Sequence, residues 1–236
     1  MRPQTAFQSD GWLHCACEVD IVHERRYSKP IPSTYPARVT RASQAAIVLC
    51  GGRSRRMGCD KACLPFGEET MLERIVRIVS QVIEEIWVVA REGQEVIGDY
   101  RIARDPNEGL GPLAGLRAGL EAMAAERAFL ISYDVPLLRA EFVERMLALS
   151  RGFPIAVPHI DGHFMVTSAV YSREVLPVAS RLLEERRLRP LYLVEAFDAK
   201  IVSEQELRDV DPDLESLRDC NSPEAYREAL RAAGLS

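Results

Sequence analysis

The stretch Leu49-Cys50-Gly51-Gly52-Arg53-Ser54-Arg55-Arg56-Met57-Gly58-Cys59-Asp60-Lys61-Ala62 concentrates glycine and positive charge in a way that suits a polyphosphate ligand. Its three glycines permit positive φ and a close approach of backbone amides to a ligand. Consecutive amides in such a turn form a concave nest for anionic oxygens. Arg53, Arg55, Arg56 and Lys61 add four cations within nine residues. Arginine holds phosphate oxygens bidentately, and lysine acts as a compact point charge. Two familiar phosphate loops are excluded. Walker A requires lysine after its second glycine, but Cys59 follows Gly58, and the spacing from Gly52 is one residue too long. The dinucleotide fingerprint G-x-G-x-x-G is absent from the loop. Solvated arginines on a surface turn would explain the charge but not the glycines directly after an apolar strand.

Two aspartates extend the pattern. Asp105 precedes Glu108-Gly109-Leu110-Gly111-Pro112-Leu113-Ala114-Gly115, where glycines flank a proline placed for the first turn of a helix. Exposed amides at such a helix start favour an anion. Asp134 closes the apolar run Phe129-Leu130-Ile131-Ser132-Tyr133 and is followed by Val135-Pro136-Leu137. A carboxylate at a strand end faces the ligand crevice of an α/β sheet. It suits Mg²⁺, which takes one or two carboxylates together with phosphate oxygens and water.

The pattern L-x-G-G-x-S-x-R-M-G-x-D-K-A resembles the signature of the MobA-like nucleotidyltransferases, and of their molybdenum cofactor guanylyltransferases in particular. The Gly-Pro-Leu-Ala-Gly and Asp-x-Pro-x-Leu stretches strengthen the likeness, which runs from about Ala45 to Leu230. The resemblance implies transfer of GMP from GTP to the terminal phosphate of molybdopterin, with release of pyrophosphate. It implies that the backbone of Leu49, Cys50 and Gly51 contacts the nucleotide, as does Asp105. Lys61 would bind the phosphates, Arg56 would help to neutralise them, and Asp134 would hold Mg²⁺. The pair Gly51-Gly52 is closer to guanylyltransferases than to cytidylyl relatives, which tend to carry Ala-Gly. Molybdoenzymes that receive the cofactor would be further partners. There are departures too. Cys50 replaces the usual alanine, Ala90-Arg91 stands where the family often has a base-contacting asparagine, and His163-Phe164-Met165 replaces a His-Pro pair. The alternatives are a CTP-dependent relative and a GTP- or pterin-binding carrier without catalysis. Arg186-Arg187-Leu188-Arg189 and Asn221-Ser222-Pro223-Glu224 also resemble family stretches, with Asn221 as a site-lining residue.

Elements that must position these groups are readable from Ala45 onward. Ala45–Cys50 is a continuous apolar run, as expected of a buried parallel strand. Thr70 and Glu73 form a capping-box pattern, and Leu72, Ile75, Val76, Val79, Val82 and Ile83 mark one helical face. Strands are expected at Ile86–Ala90, Arg101–Arg104, Ala128–Ser132, Ile155–Val157, Phe164–Tyr171 and Lys200–Val202. Helices are expected near Glu92–Gly98, from Pro112 to about Glu126, at Glu141–Leu149 and at Arg173–Glu184. A last helix opens with Ser222-Pro223 and stops near Gly234. The alternation predicts an α/β fold, a Rossmann-like and mostly parallel twisted sheet with helices on both faces. The family resemblance implies a nucleotide-diphospho-sugar transferase-like version of it.

Hydrophobic residues make up 47% of the 236, enough for a core in one domain, expected at residues 45–236. A net charge of -5 argues against broad nucleic-acid binding, which needs a basic surface. No apolar run is long enough to span a bilayer. Residues 1–44 show no sustained period and contain Pro30, Pro32 and Pro36, as expected of a flexible extension. Cys15-Ala16-Cys17 there is a poor match to zinc-ligand spacing. No secretion signal is evident, and Cys50, Cys59 and Cys63 suit reduced thiols in the cytoplasm. His159 and His163 are expected in surface or packing roles, because nucleotidyl transfer rests on positioning and charge neutralisation.

Overall fold

The computed structural model describes residues 44–51, 64–106 and 109–235. Gln44–Leu49 forms strand β1, whose residues Ala45 to Val48 are fully buried. Alternate side chains enter two separate cores: Ala46, Val48 and Cys50 one, and Ala45, Ile47 and Leu49 the other. Burial on both faces is why the run is apolar without interruption. The extension predicted at residues 1–44 lies outside the described residues except for Gln44, which opens β1.

A short hairpin follows, β2 (Pro65–Phe66) and β3 (Glu69–Thr70), and then helix α1 (Met71–Ser80). Thr70 caps α1 with the expected capping box: its Oγ1 accepts from Glu73 N at 3.2 Å and its N–H donates to Glu73 Oε2 at 2.7 Å. The chain continues through β4 (Glu85–Arg91), β5 (Arg101–Asp105), α2 (Pro112–Ala122), β6 (Arg127–Ser132) and α3 (Ala140–Leu149). The second half holds β7 (Ile155–Ile160), β8 (His163–Phe164), β9 (Ser168–Ser172), α4 (Leu176–Glu184) and α5 (Leu191–Ala196). It ends with β10 (Ala199–Ser203), α6 (Glu204–Arg208) and α7 (Pro223–Ala232).

Among the described residues the main sheet has eight strands in the order β10-β7-β9-β6-β1-β4-β5, with β8 paired to β7. The β5-β4-β1-β6 half is parallel throughout, and β9 runs antiparallel to both β6 and β7. Helices α1 and α3 pack on one face, α2, α4 and α5 on the other. The layered α/β fold expected from the alternation is therefore observed.

Two local expectations are corrected, and two short helices, α5 and α6, are additional. The segment near Glu92–Gly98 is a turn followed by irregular chain rather than a helix. Gly93 at φ 70° and Gly98 at φ 131° take up left-handed turns, and Ile97 is 72% exposed, so no buried face supports a helix. The expected strand Phe164–Tyr171 is divided into β8 and β9. Ser203 opens the unanticipated α6 with its own capping box, Ser203 N donating to Glu206 Oε2 at 2.9 Å. Among the described residues, no helix is long and apolar enough to cross a membrane.

Helix α2 lies very close to β1. A Cβ on Gly115 would stand 2.7 Å from Leu49 Cδ2, and one on Gly119 would stand 2.6 Å from Ile47 Cγ2. Both neighbours belong to a strand fixed on both sides, so neither can yield cheaply. Gly119→Val should therefore destabilise the protein by about 2 kcal/mol through overpacking. That corresponds to a fall of roughly 4–8 °C in Tm by calorimetry for a domain of this size.

Candidate active site

The sheet delivers three chain segments to one edge, the carboxyl ends of adjacent parallel strands. At the centre, β1 stays bonded to its neighbours beyond its last residue. Cys50 N donates to Val89 O at 2.8 Å, and Tyr133 N donates to Leu49 O at 3.3 Å. These bonds fix Leu49 and Cys50, which are buried, and release the chain at exposed Gly51. A Cβ on Gly51 would meet Arg91 Cγ at 3.3 Å, so glycine leaves the Arg91 stem room to lie alongside. Arg91 Nε is buried there with no hydrogen-bond partner. Of the other residues assigned to this loop, Gly52, Arg56 and Lys61 lie in residues 52–63, outside the described residues.

Asp105 closes β5, in register with Arg91 of β4, and its carbonyl accepts from Glu92 N at 3.3 Å. The chain then reaches Gly111, whose φ of 75° is left-handed, and Pro112 at the first turn of α2. The N-cap of α2 is Gly111, which has no side chain to bond the first turn; Pro112 carries no N–H, and Ala114 N donates to Gly111 O at 3.2 Å. The second and third glycines of Gly109-Leu110-Gly111-Pro112-Leu113-Ala114-Gly115 thus serve different ends. Gly111 supplies the turn, and Gly115 supplies the close approach to Leu49.

Asp134 follows β6 and is half-buried. Its carbonyl accepts from Cys220 N at 2.7 Å, so the C-terminal segment is stitched to the end of β6. This bond carries Asp219 and Asn221 to the Asp134 end of the sheet, where Asn221 Nδ2 donates to Asp219 Oδ2 at 2.7 Å. Asn221 was legible from its motif. Asp219 was not, because only the fold brings it 85 positions back along the chain to Asp134. Strand order places Asp134 beside β1 on one side and Asp105 two strands away on the other. The span from β6 to β5 is about 14 Å by normal strand spacing, enough for an extended nucleoside triphosphate.

The β2–β3 hairpin is held against the Asp134 loop by Arg74. Its Nε donates to Pro136 O at 2.5 Å, its Nη1 donates to Glu69 Oε1 at 3.0 Å, and its guanidinium lies 4.8 Å from the Phe66 ring centroid. Arg77 adds two bonds to the same carboxylate at 2.8 and 2.9 Å. Helix α7 covers the hairpin from outside: Tyr226 donates to Pro65 O and meets Phe66 edge-on at 6.4 Å.

His159 lies at the carboxyl end of β7, two strands from β6, and His163 follows on β8. His159 stacks on Phe164 at 4.6 Å, and His163 is exposed on β8. In the basic stretch, Arg187 lies 4.1 Å over the Tyr192 ring. Arg186 lines a cleft of about 500 Å³ with Pro106, Leu110, Arg117, Ser180 and Leu183, between α2 and the end of α4. Cys50 and Cys220 are buried and not joined in a disulfide.

A mostly parallel sheet with a glycine turn, a glycine–proline helix start and two aspartates on its carboxyl edge has the layout on which α/β proteins bind nucleotides. The likeness to solved structures agrees on the fold. Molybdopterin-guanine dinucleotide biosynthesis protein A from Archaeoglobus fulgidus superposes with a TM-score of 0.71 at 20% identity, covering 81% of this chain and all of that one. A Mycobacterium tuberculosis protein solved in complex with manganese gives a TM-score of 0.59 at 16% identity, covering 80% and 99%. The chain belongs to the MobA-like NTP transferase domain family, whose model matches residues 46–199. A probable molybdenum cofactor guanylyltransferase from Methanosarcina mazei is 32% identical over 200 residues, covering 78% of this chain and 88% of that protein.

The Glu69 carboxyl is held below the usual carboxylate range, first by the Arg77 hydrogen bond and then by Arg74, against the cost of its burial. A depressed carboxyl stabilises the fold fully above its unfolded value and loses that contribution as pH falls through the folded one. Glu69→Gln should thus cost about 1 kcal/mol at pH 7. Urea denaturation at pH 7 and pH 3 should show the gap between variant and wild type closing at the lower pH.

Proposed function

We propose that this protein transfers GMP from GTP to the terminal phosphate of molybdopterin, forming the guanine dinucleotide cofactor and pyrophosphate. The observation that carries the reading is the convergence of Gly51, Asp105 and Asp134 on one sheet edge in a chain of the MobA-like NTP transferase family. The name of the Methanosarcina relative supports the choice of base and acceptor.

In this reading the Leu49–Gly51 backbone, with Gly52, Arg56 and Lys61, takes the triphosphate. Asp105 contacts the nucleoside, and the start of α2 at Gly111 turns toward the same sheet edge. A terminal phosphate oxygen of the pterin attacks the α-phosphorus. The bond to the oxygen bridging the α- and β-phosphorus breaks, and pyrophosphate leaves with the electron pair. Fixed cations stabilise the charge that accumulates on the leaving oxygens. Both reacting groups are phosphates, so no histidine is needed as a base.

The donor set suits a hard divalent ion. Asp134 follows the end of β6, where one carboxylate can share a Mg²⁺ shell that phosphate oxygens and water complete. When bound, the ion supplies charge neutralisation and orientation of the phosphates. The manganese complex of the structural neighbour agrees with a divalent metal. The molybdoenzymes that take up the product would be later partners, in the cytoplasm.

Pyrophosphate release with each nucleoside triphosphate, Mg²⁺ and molybdopterin tests the reading. GTP should give the fastest release. Preference for CTP would overturn the base assignment, and GTP binding without release would overturn catalysis. Asp134→Asn should lower turnover at least about a hundredfold with an unchanged melting curve.

A further inference from the structure

Between β1 and β4 the parallel ladder stops one rung short, and a side chain takes the place of the missing rung. In a parallel pair every second residue donates to one neighbour-strand carbonyl and accepts from the amide two residues beyond that carbonyl. Cys50 makes the first of these bonds, to Val89 O at 2.8 Å. Its carbonyl would next accept from Arg91 N. Instead Arg91 N donates to Gln94 Oε1 at 3.1 Å, and Gln94 Nε2 donates to Cys50 O at 3.0 Å. One primary amide, inserted between two main chains, satisfies both.

The insertion has a geometric consequence. A direct rung would hold the Cys50 and Arg91 main chains at hydrogen-bond distance, whereas an interposed amide holds them apart by its own width. β1 and β4 therefore diverge where Gly51 leaves the sheet. The Gln94 main chain that carries the amide is itself held: Gln94 N donates to Arg91 O at 3.1 Å, and Arg104 Nη1 donates to Arg91 O and Gln94 O at 3.0 and 2.6 Å. Such effort is surplus to stability, because the direct rung would satisfy the same two backbone groups without a side chain.

We propose that Gln94 is a positioning residue for the nucleoside triphosphate, its amide splaying β1 from β4 to set the path of the Cys50–Gly51 backbone. This rests on the placement of the nucleotide given under Proposed function. In Gln94→Ala the direct bond from Arg91 N to Cys50 O is free to close, narrowing the strand ends while both backbone groups stay satisfied. In Gln94→Glu the acceptor for Arg91 N remains, but a carboxylate oxygen faces the Cys50 carbonyl in place of a donor.

Calorimetric titration of the full-length chain with GTP and Mg²⁺ gives Kd without requiring turnover. Both variants should weaken binding by about tenfold or more, a loss of about 1.4 kcal/mol or more. Gln94→Ala should melt within a few degrees of wild type. A core variant remote from the strand ends, Leu182→Ala, should lower Tm with Kd unchanged. If either folded Gln94 variant binds GTP within twofold of wild type, the positioning role is wrong while the site assignment stands. If wild type binds no nucleoside triphosphate, the site assignment fails and this inference falls with it.

Discussion

The parallel bonding of β1 to β4 on one side and β6 on the other is the constraint from which the site follows. A strand bonded on both edges and buried on both faces cannot shift register without breaking two ladders and exposing both cores. Its last bonded residue is therefore a fixed point. Leu49 and Cys50 are that point, and the chemistry-bearing segments are placed relative to it: Gly51 directly, Asp134 through β6, and Asp105 through β4 and β5.

The rest of the molecule maintains that fixed point. Helix α2 is packed on β1 through glycines, so the helix start that faces the strand ends is set by contact with Leu49 and Ile47. The C-terminal segment returns to bond Asp134 through Cys220 and then covers the hairpin with α7. Arg74 ties that hairpin to Pro136 and Glu69. The loop that begins at Gly51 is thus flanked by described segments whose positions are separately secured.

Much of this was legible in the sequence, and the parts that were not share a cause. An apolar run ending in glycines marks a buried strand and a turn, and Asp134 at the end of such a run marks a crevice, because both signals are local. Thr70 with Glu73 and Ser222 with Pro223 are local in the same way, and both caps formed. Strand order is not local, so nothing in the sequence placed Asp219 near Asp134. The antiparallel β9 was hidden because a buried strand reads the same in either direction. The segment around Gln94 was misread as helical because its polar composition allows a helix. Bonds from Gln94 and Arg104 to distant backbone groups decide its actual path. The bridging of Cys50 and Arg91 by one amide has no sequence signature at all.

The proposed function requires the nucleotide to lie across the carboxyl ends of β6, β1, β4 and β5. A crystal structure of the protein with GTP and Mg²⁺ should show triphosphate density against the Gly51 amide, the nucleoside toward Asp105, and the metal on the Asp134 carboxylate. Nucleotide seated in the cleft between α2 and α4, with Gly51 and Asp134 untouched, would contradict that placement.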